Sequence, residues 1–406
     1  MSSFCLASRR FNAWPLKYCR LIGWTAVPFM ACWLATAAHG ATAYRIVALD
    51  ALPGGIDSYA TGINELGMVV GHSALDRSGN VGRSRPVLWN SSGEPTELWP
   101  DEGPLTPGGI PLGINDAGQV VGRYGVGSGV PLPGPGIPEG RAFIWNPVNG
   151  LEDLGSLGGS RVEATGINEA GQVVGSSLLA DLGGEAFLWD ATNGMRSIGT
   201  LGGPFSRGAA INNRGEIAGT SFQADFSERA FVWDAVNGMR LLDGVAGTST
   251  RGLTVNDSGT VAGIDFGSRT NPGGMTVWTA GLPSLTTPPR GTTSSLFPQS
   301  VNNTGQVVGN IGLSEDTSLE AFVWTSHLGF QNLETKIVNG LGWDLENATA
   351  INDRGQIVGY GWLNGQIRGF LMSPIPEPAT AWSVVIAWCA CMLKVHQLRV
   401  QKSVIT

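Results

Sequence analysis

Cysteine and histidine are scarce in the body of this chain. All five cysteines lie within the first 32 or the last 18 of its 406 residues. Residues 33–388 therefore hold no disulfide framework, no thiolate metal site and no cysteine nucleophile. His72 and His327 are the only histidines of the body, and neither has a partner at metal-ligand spacing. The sequence predicts no catalytic residue, no metal and no cofactor, with both histidines in surface loops.

Charge is also scarce, and lysine above all. Charged residues make up 14% of the chain, the net charge is −7, and Lys336 is the single lysine of residues 44–373. An acidic body argues against binding of nucleic acid or of an anionic membrane surface. It suits neutral glycans, cationic surfaces or divalent cations.

Glycine is abundant where these residues are missing. Its 60 copies are about twice the average share. The composition is not enriched in alanine, glutamate, lysine and leucine together, as that of a helical protein is, and it has ample apolar residues. It favours many short strands joined by tight turns.

The N-terminus has the order of a secretory signal peptide. Basic residues including Arg9 and Arg20 precede an apolar stretch at 21–38 and the small-residue pattern Ala41-Thr42-Ala43. This order predicts a signal peptide over residues 1–43, and hence export. A retained membrane anchor is the alternative.

The C-terminus carries a second targeting pattern. Pro376-Glu377-Pro378 precedes an apolar run at 379–393, and basic residues follow from Lys394. Residues 374–406 resemble the PEP-CTERM sorting signal of bacteria. The resemblance implies that an exosortase-type membrane protease recognises Pro-Glu-Pro and removes the tail, which alone would contact the membrane. A simple C-terminal anchor is the alternative, since about 20 apolar residues span a bilayer.

One unit recurs along the rest of the chain. It reads apolar-Asn-x-x-Gly-x-apolar-apolar-Gly, at steps of 44 to 53 residues. Asparagine at the first turn position bonds the backbone two residues on, and glycine at the fourth accepts the left-handed conformation. Each copy is predicted to be a structural hairpin turn. The seven pairs are Asn64 and Gly67, Asn115 and Gly118, Asn168 and Gly171, Asn212 and Gly215, Asn256 and Gly259, Asn302 and Gly305, and Asn352 and Gly355.

A third strand and a fourth follow each hairpin. The third reads small-Phe-apolar-Trp, as in 186–189, and the fourth is a short apolar segment such as 194–199. Four antiparallel strands in about 47 residues is the size of a β-propeller blade. Aromatics fixed in the third strand favour packing between blades over a role as glycan platforms. They are Trp89, Trp145, Trp189, Trp233, Trp278 and Trp324.

The ends of the repeat array complement each other. The seventh copy ends after its third strand, at Met372, whereas residues 44–55 resemble the fourth-strand segment at 150–159. The N-terminal strand is therefore predicted to complete the last blade. The predicted fold is all-β, a closed seven-bladed propeller of four-stranded blades rather than an open solenoid, which would need capping repeats.

The repeat also resembles a known family. Ile-Asn-x-x-Gly-x-Val-Val-Gly followed by Ala-Phe-x-Trp, with Ile-Gly-Thr-Leu-Gly-Gly at 198–203, is similar to the extracellular HAF repeat. The resemblance covers residues 44–373 and implies an exported bacterial protein, with no established reaction or ligand. The histidine of the family's name is replaced before Ala-Phe, for example by Arg141 and Glu185.

Carboxylates in two settings could carry chemistry. Asp116, Asp257 and Asp353 follow turn asparagines but lack EF-hand spacing, which favours solvated turn residues over calcium ligands. The paired acids Asp101-Glu102 and Glu315-Asp316 could serve a glycosidase but lie in variable segments.

These patterns predict a non-enzymatic surface or matrix protein. In four-stranded antiparallel units, the longer variable links share the face opposite the hairpins. The clearest are 72–85, 99–111, 123–140 and 265–274. Variable loops on a rigid frame are where binding sites usually lie, so this face should bind a polysaccharide or a surface protein. An extracellular polysaccharide hydrolase or lyase is the alternative, favoured by acids, histidine and tyrosine converging at the centre. A passive spacer would have no concave pocket.

Overall fold

The computed structural model describes residues 43–376, except 79–80, 100–107, 126–139, 181–182, 245–247, 268–272, 288–291, 314–318 and 339. The predicted signal peptide, apart from Ala43, and the apolar run at 379–393 lie outside the described residues. No helix in the described part is long and apolar enough to cross a membrane.

Twenty-eight β-strands make up the described body, and each repeat contributes consecutive strands. The N-terminal strand is β1 (Tyr44–Leu49). Repeat one holds β2 (Asp57–Ile63), β3 (Val69–Ala74), β4 (Ser84–Trp89) and β5 (Pro95–Glu97). Repeat two holds β6 (Gly108–Ile114), β7 (Val120–Gly125), β8 (Arg141–Asn146) and β9 (Gly150–Asp153). Repeat three holds β10 (Val162–Ile167), β11 (Val173–Leu178), β12 (Gly184–Asp190) and β13 (Gly194–Ser197).

The remaining repeats follow the same plan. Repeat four holds β14 (Gly202–Ile211), β15 (Ile217–Gln223), β16 (Glu228–Asp234) and β17 (Gly238–Leu242). Repeat five holds β18 (Thr250–Val255), β19 (Val261–Asp265), β20 (Gly274–Thr279) and β21 (Leu282–Thr286). Repeat six holds β22 (Thr292–Val301), β23 (Val307–Leu313), β24 (Leu319–Thr325) and β25 (Gly329–Asn332). Repeat seven holds β26 (Trp343–Ile351), β27 (Ile357–Leu363) and β28 (Gln366–Pro374). Short 3-10 helices lie at Val81–Arg83 and Glu334–Lys336.

Repeats one to six each fold into an antiparallel four-stranded sheet, and repeat seven contributes three strands to a seventh sheet. Five of the sheets are separate, and those of repeats three and four join through one parallel bridge between Gly184 and Phe205. In the seventh sheet the order is β1-β28-β27-β26, with Tyr44 opposite Pro374 and Leu49 opposite Gly369. The all-β expectation is confirmed, as is the four-stranded repeat unit of β-propeller type.

The repeated glycine shapes the hairpin between the first two strands of each repeat. Its N–H donates to the carbonyl of the turn asparagine three residues earlier, at 3.0–3.1 Å. Its φ lies between 72° and 82°, a left-handed region that glycine enters without a Cβ clash. The residues with this geometry are Gly67, Gly118, Gly171, Gly215, Gly259, Gly305 and Gly355.

The repeated asparagine braces the same hairpin, in a way that differs in part from the expected one. Its Oδ1 accepts the N–H of the residue four positions on in all seven repeats, at 2.9–3.0 Å. The expected bond to the residue two positions on accompanies it only in some repeats, for example from Ala170. The longer bond spans the whole turn, so it ties the end of the first strand to the start of the second.

A β-bulge interrupts the first strand of every repeat, three residues before the turn asparagine. The register skips one residue there, such as Thr165 between Ala164 and Gly166. A bulge turns its extra residue out of the ladder and bends the strand. The seven bulge residues are Thr61, Leu112, Thr165, Ala209, Leu253, Gln299 and Thr349.

The core lies between neighbouring sheets, where large apolar side chains fill the gaps. Trp89 is fully buried among Leu49, Val358 and Leu371, which belong to β1 and to repeat seven. Trp278 of repeat five packs on Ala218 and Ala230 of repeat four. The prediction that the repeated tryptophans pack between units is therefore confirmed.

Contacts also join repeat seven to repeat one. The Asp57 carboxylate is fully buried and accepts hydrogen bonds from the Ile367 N–H at 3.0 Å and from Arg77 Nε at 2.6 Å. The hydroxyl of Thr349 donates to the Ala60 carbonyl at 2.9 Å. Repeats at the two ends of the array are thus neighbours in space.

Candidate functional site

A cavity of about 710 Å³ lies at the loop end of repeats three to six, opposite the hairpins. We call it the loop-end cavity. Its walls come from the first and second strands and from the first residues of the third strands. The cavity therefore lies at the end of the repeats where the links between second and third strands begin, which is the face predicted to bind a ligand. The predicted variable segments themselves lie partly outside the described residues.

The bulges supply one set of lining residues, from four consecutive repeats. Thr165, Ala209, Leu253 and Gln299 all border the loop-end cavity. Because each is the residue that its strand leaves unpaired, the bulge presents one side chain to the cavity from each of repeats three to six. The chemistry of that side chain differs from repeat to repeat.

Two further positions vary in the same way. They lie five residues before and eight residues after the turn asparagine, directly opposite each other on the first two strands. We call these fourteen residues the rim positions. The pairs are Tyr59 with His72, Ile110 with Arg123, Glu163 with Ser176, Arg207 with Thr220, Arg251 with Ile264, Phe297 with Asn310, and Asn347 with Tyr360.

Arginine–glutamate pairs occupy the rim in repeats two to five. Arg207 forms an ion pair with Glu163, whose carboxylate also lies 3.7 Å from Arg123 Nε. Arg251 holds Glu228 through two hydrogen bonds, at 2.5 Å and 2.9 Å. The Arg207 and Arg251 side chains remain 61% and 42% exposed, so they stay accessible to a ligand in the cavity.

Aromatic residues continue the rim through repeats seven and one. The Tyr59 and His72 rings stack with centroids 4.8 Å apart, and Tyr360 meets Tyr59 edge-on at 5.1 Å. Asn347 donates through Nδ2 to the Tyr360 hydroxyl at 3.2 Å. Burial raises the pKa of Tyr59 to about 12, with the Asp57 carboxylate adding to the effect.

The expectation that His72 is a surface-loop residue is wrong. It lies on β3, stacked on Tyr59, because the strand places it across from the first strand of its repeat. Burial and the nearby Arg123 lower the pKa of His72 to about 4, so its ring is neutral at pH 7. His327 lies in an exposed turn, as predicted.

Several buried polar atoms near the rim have no hydrogen-bond partner within the described residues. Asn310 Oδ1 and Asn347 Oδ1 belong to side chains that are 7% and 8% exposed. His72 Nδ1 and Arg123 Nε are the other two at rim positions. Buried polar groups are normally paired, so orphaned atoms indicate a place where water or a ligand completes the bonding.

The opposite end of the molecule holds a second, smaller cavity of about 180 Å³, which all seven repeats line. We call it the hairpin-end cavity. The Nδ2 group of each turn asparagine donates to the backbone carbonyl of the next repeat's turn asparagine, at 2.9–3.2 Å. Asn352 donates in turn to Asn64, at 3.0 Å.

The residue after each turn asparagine forms a second cycle of bonds. Its N–H donates to the corresponding side chain of the next repeat at 2.7–3.1 Å, and Asp353 donates to Glu65. These side chains are exposed or half-exposed, as the expectation of solvated turn residues requires, but the expected local bonding is wrong because the neighbouring repeat supplies the donor. The seven residues are Glu65, Asp116, Glu169, Asn213, Asp257, Asn303 and Asp353.

Two of these carboxyl groups have raised pKa values. Burial raises the pKa of Glu65, and the charges of Asp353 and Asp116 add to it. Burial likewise raises the pKa of Glu169, helped by Asp116 and Asp257. Among the described residues, no three histidine, cysteine, aspartate or glutamate side chains are grouped to hold a metal ion.

The remaining predicted residues fall near or beyond the described ends. Pro376 is exposed at the C-terminal limit, while Glu377 and Pro378 lie outside the described residues. The paired acids at 101–102 and 315–316 lie outside them as well. The rim positions were not predicted from the sequence. The sequence does carry a signal for them, because these positions differ in chemistry from repeat to repeat, whereas the asparagine and glycine of each hairpin recur.

Comparisons with known proteins give no family for this chain. No protein-family model matches the sequence, and no curated protein matches it.

Solved structures resemble it weakly. A puromycin-hydrolysing peptidase from Mycobacterium tuberculosis matches 81% of this chain and 55% of its own, with 14% identity and a TM-score of 0.48. TolB from Acinetobacter baumannii matches 56% and 55%, with 15% identity and a TM-score of 0.39. A gluconolactonase from Xanthomonas campestris matches 84% and 93%, with 10% identity and a TM-score of 0.39. The chain spans about half the length of the first two.

Proposed function

We propose that the chain is a closed seven-bladed β-propeller in which β1 completes the last blade. Two cycles of hydrogen bonds at the hairpin end support this, since each passes through all seven repeats and returns from repeat seven to repeat one. The pairing of β1 with β28 and the buried Asp57 between Arg77 and Ile367 support it further.

This propeller is an exported binding scaffold of the cell surface or extracellular matrix, without catalytic activity. The loop-end cavity carries this part of the proposal: it is concave, large enough for a few sugar rings and lined by side chains that differ between repeats. A passive spacer, by contrast, is expected to have no concave pocket of this kind. The ligand is an extracellular polysaccharide or a surface protein, and the acidic body as a whole argues against nucleic acid.

The patterns near the two ends of the sequence support a place of action at the cell surface or in the extracellular matrix. Residues 1–43 direct export, and an exosortase-type protease processes residues 374–406 at Pro376-Glu377-Pro378, so that the membrane is met only through the tail. Expression in a bacterium that contains such a protease, with mass spectrometry of the mature C-terminus, tests this. A tail that stays intact there would contradict it.

A pair of alanine-to-tryptophan variants tests the binding site. In the full chain, Ala209→Trp fills the loop-end cavity from a bulge position, and Ala170→Trp adds the same bulk to an exposed hairpin turn. A glycan array, run with and without calcium, should give binding that Ala209→Trp removes and Ala170→Trp keeps. Binding unaffected by Ala209→Trp, or turnover of the bound glycan, would contradict the proposal.

One observation favours the alternative, a polysaccharide hydrolase or lyase. Tyr59, His72 and Tyr360 converge at the rim, and histidine and tyrosine are residue types that serve as general acids and bases. Release of reducing ends from a polysaccharide, lost in Tyr59→Phe while binding persists, would establish this activity. Binding without any release would support the scaffold.

A further inference from the structure

We propose that the loop-end cavity binds an acidic polysaccharide, with its arginines holding the carboxylates of uronate residues. The inference rests on the proposed binding function and names its ligand class. It departs from the neutral or cationic ligands that the overall charge suggests.

The charge of the cavity is opposite to that of the chain. The chain carries −7, yet the cavity is lined by Arg161, Arg207 and Arg251 and by two acids, Glu163 and Glu228. Both acids are already paired, with Arg207 and Arg251 respectively. The cavity therefore presents a local positive surface inside an acidic body, and a concave surface focuses that field.

The cavity arginines keep guanidinium N–H donors that are not used in ion pairs with the described residues. A guanidinium has five N–H donors in a planar fork that matches a carboxylate. The Arg161 side chain makes no hydrogen bond or ion pair with the described residues, and Arg207 uses one nitrogen on Glu163. Arg251 uses two nitrogens on Glu228, and that pair keeps its guanidinium in place.

Neutral polar groups beside the arginines fit sugar hydroxyls. Ser176, Thr220 and Gln299 line the cavity, and their side chains make no hydrogen bond with the described residues. At the rim, outside the cavity lining, the buried Asn310 Oδ1 and Asn347 Oδ1 accept no hydrogen bond from the described residues. A hydroxyl can donate and accept, whereas a carboxylate can only accept, so a ligand with both groups matches the rim and the cavity together.

Apolar faces complete the arrangement. Phe205, 39% exposed, and Phe222 line the cavity with their rings 6.1 Å apart in an edge-on contact. Such rings offer flat surfaces to the C–H faces of pyranoses. A repeating acidic sugar carries carboxylate, hydroxyls and an apolar face on every residue, whereas an acidic peptide brings carboxylates with few hydroxyls. The lining therefore favours the polysaccharide.

Arg161→Gln in the full chain is the decisive variant. The Arg161 side chain makes no hydrogen bond or ion pair with the described residues, so its replacement breaks no such interaction there. Arg354→Gln is the matched control, since Arg354 is exposed on a hairpin turn at the other end. Binding of polygalacturonate, dextran and polyglutamate is measured by calorimetry at low and moderate salt. We expect Arg161→Gln to weaken polygalacturonate binding by about fivefold, and more at low salt, with Arg354→Gln unchanged.

The outcomes separate the two proposals. Polygalacturonate preferred over both other polymers, with sensitivity at Arg161, supports the inference. Dextran bound equally well and insensitively to Arg161→Gln overturns it while leaving the binding scaffold intact. Polyglutamate bound as tightly as polygalacturonate overturns the assignment to sugars. Binding of none of the three polymers overturns the inference, and the array with Ala209→Trp then decides the scaffold separately.

Discussion

At the hairpin end, the side chain that follows each turn asparagine has two opposing effects on stability, one from its hydrogen bond and one from its charge. Each side chain after a turn asparagine must accept an N–H from another repeat, and five of the seven do so as carboxylates around one small cavity. Asn213 and Asn303 accept the same bond as neutral amides. The bond therefore needs an oxygen but no charge, and the charge adds repulsion.

Glu65→Gln and Glu169→Gln should consequently stabilise the protein at neutral pH. Burial and neighbouring carboxylates raise the pKa of both glutamates above the unfolded value, so the folded state loses stability as the pH rises through the raised pKa. The amide keeps the acceptor and removes the charge. Thermal melts at pH 7 should show a gain of about 1 °C per substitution that disappears at acid pH. A larger gain at acid pH than at pH 7 would contradict the argument.

The second strand of a repeat needs glycine at the point where the backbone of the first strand comes close to it. A Cβ on Gly175 would lie 1.9 Å from the Glu163 carbonyl oxygen and 2.8 Å from a Phe187 ring carbon. Gly175→Ala should therefore lower the free energy of unfolding by about 3 kcal/mol. Gly140→Ala is the control, since among the described residues its Cβ would meet nothing closer than the Val162 carbonyl oxygen at 3.8 Å. Urea unfolding of both variants tests this, and equal effects would refute it.

At the scale of elements, β1 contributes more to the stability of the fold than its length of six residues suggests. Leu49 is fully buried against repeats one and seven, and Tyr44 is 2% exposed in the cluster of repeat seven. Leu49→Ala should cost about 3 kcal/mol, whereas Arg45→Ala on the exposed face of the same strand should cost little. Urea unfolding of the two variants measures the difference, and similar losses in both would contradict the burial argument.

Replacing residues 44–50 with a flexible Gly/Ser segment tests β1 as a whole. The loss of its pairing with β28 should lower the melting temperature by at least about 5 °C and expose the edge of the seventh sheet. Faster hydrogen exchange at β28 but not at β16 would locate the damage. An unchanged melting temperature would contradict closure by this strand.

At the scale of the whole molecule, a closed ring predicts tolerance to circular permutation. The Ile375 N–H donates to the Ala43 carbonyl at 2.8 Å, so a short linker can join the described ends. New termini at the turn beside Val236, which is 91% exposed, should leave the melting temperature within about 5 °C. Termini placed inside β15 should prevent folding. Failure of the first permutant to fold would count against the ring.

The sequence by itself determined the repeat, the hairpins and the strand order. Asparagine, glycine and the period-two aromatics act on near neighbours, so their effects can be read without knowing the rest of the fold. The strand at residues 44–49 could be matched to the last repeat because a missing fourth strand leaves an unpaired edge.

Tertiary structure alone decided which residues share the two cavities. The bonds from Asn352 to Asn64 and from Asp353 to Glu65 cross 288 positions, and no local pattern reveals them. The position of His72 was misjudged for the same reason: its burial comes from Tyr59 across the hairpin and from the neighbouring repeat. The residues that line the two cavities come from different repeats, so they lie together only once the repeats are assembled.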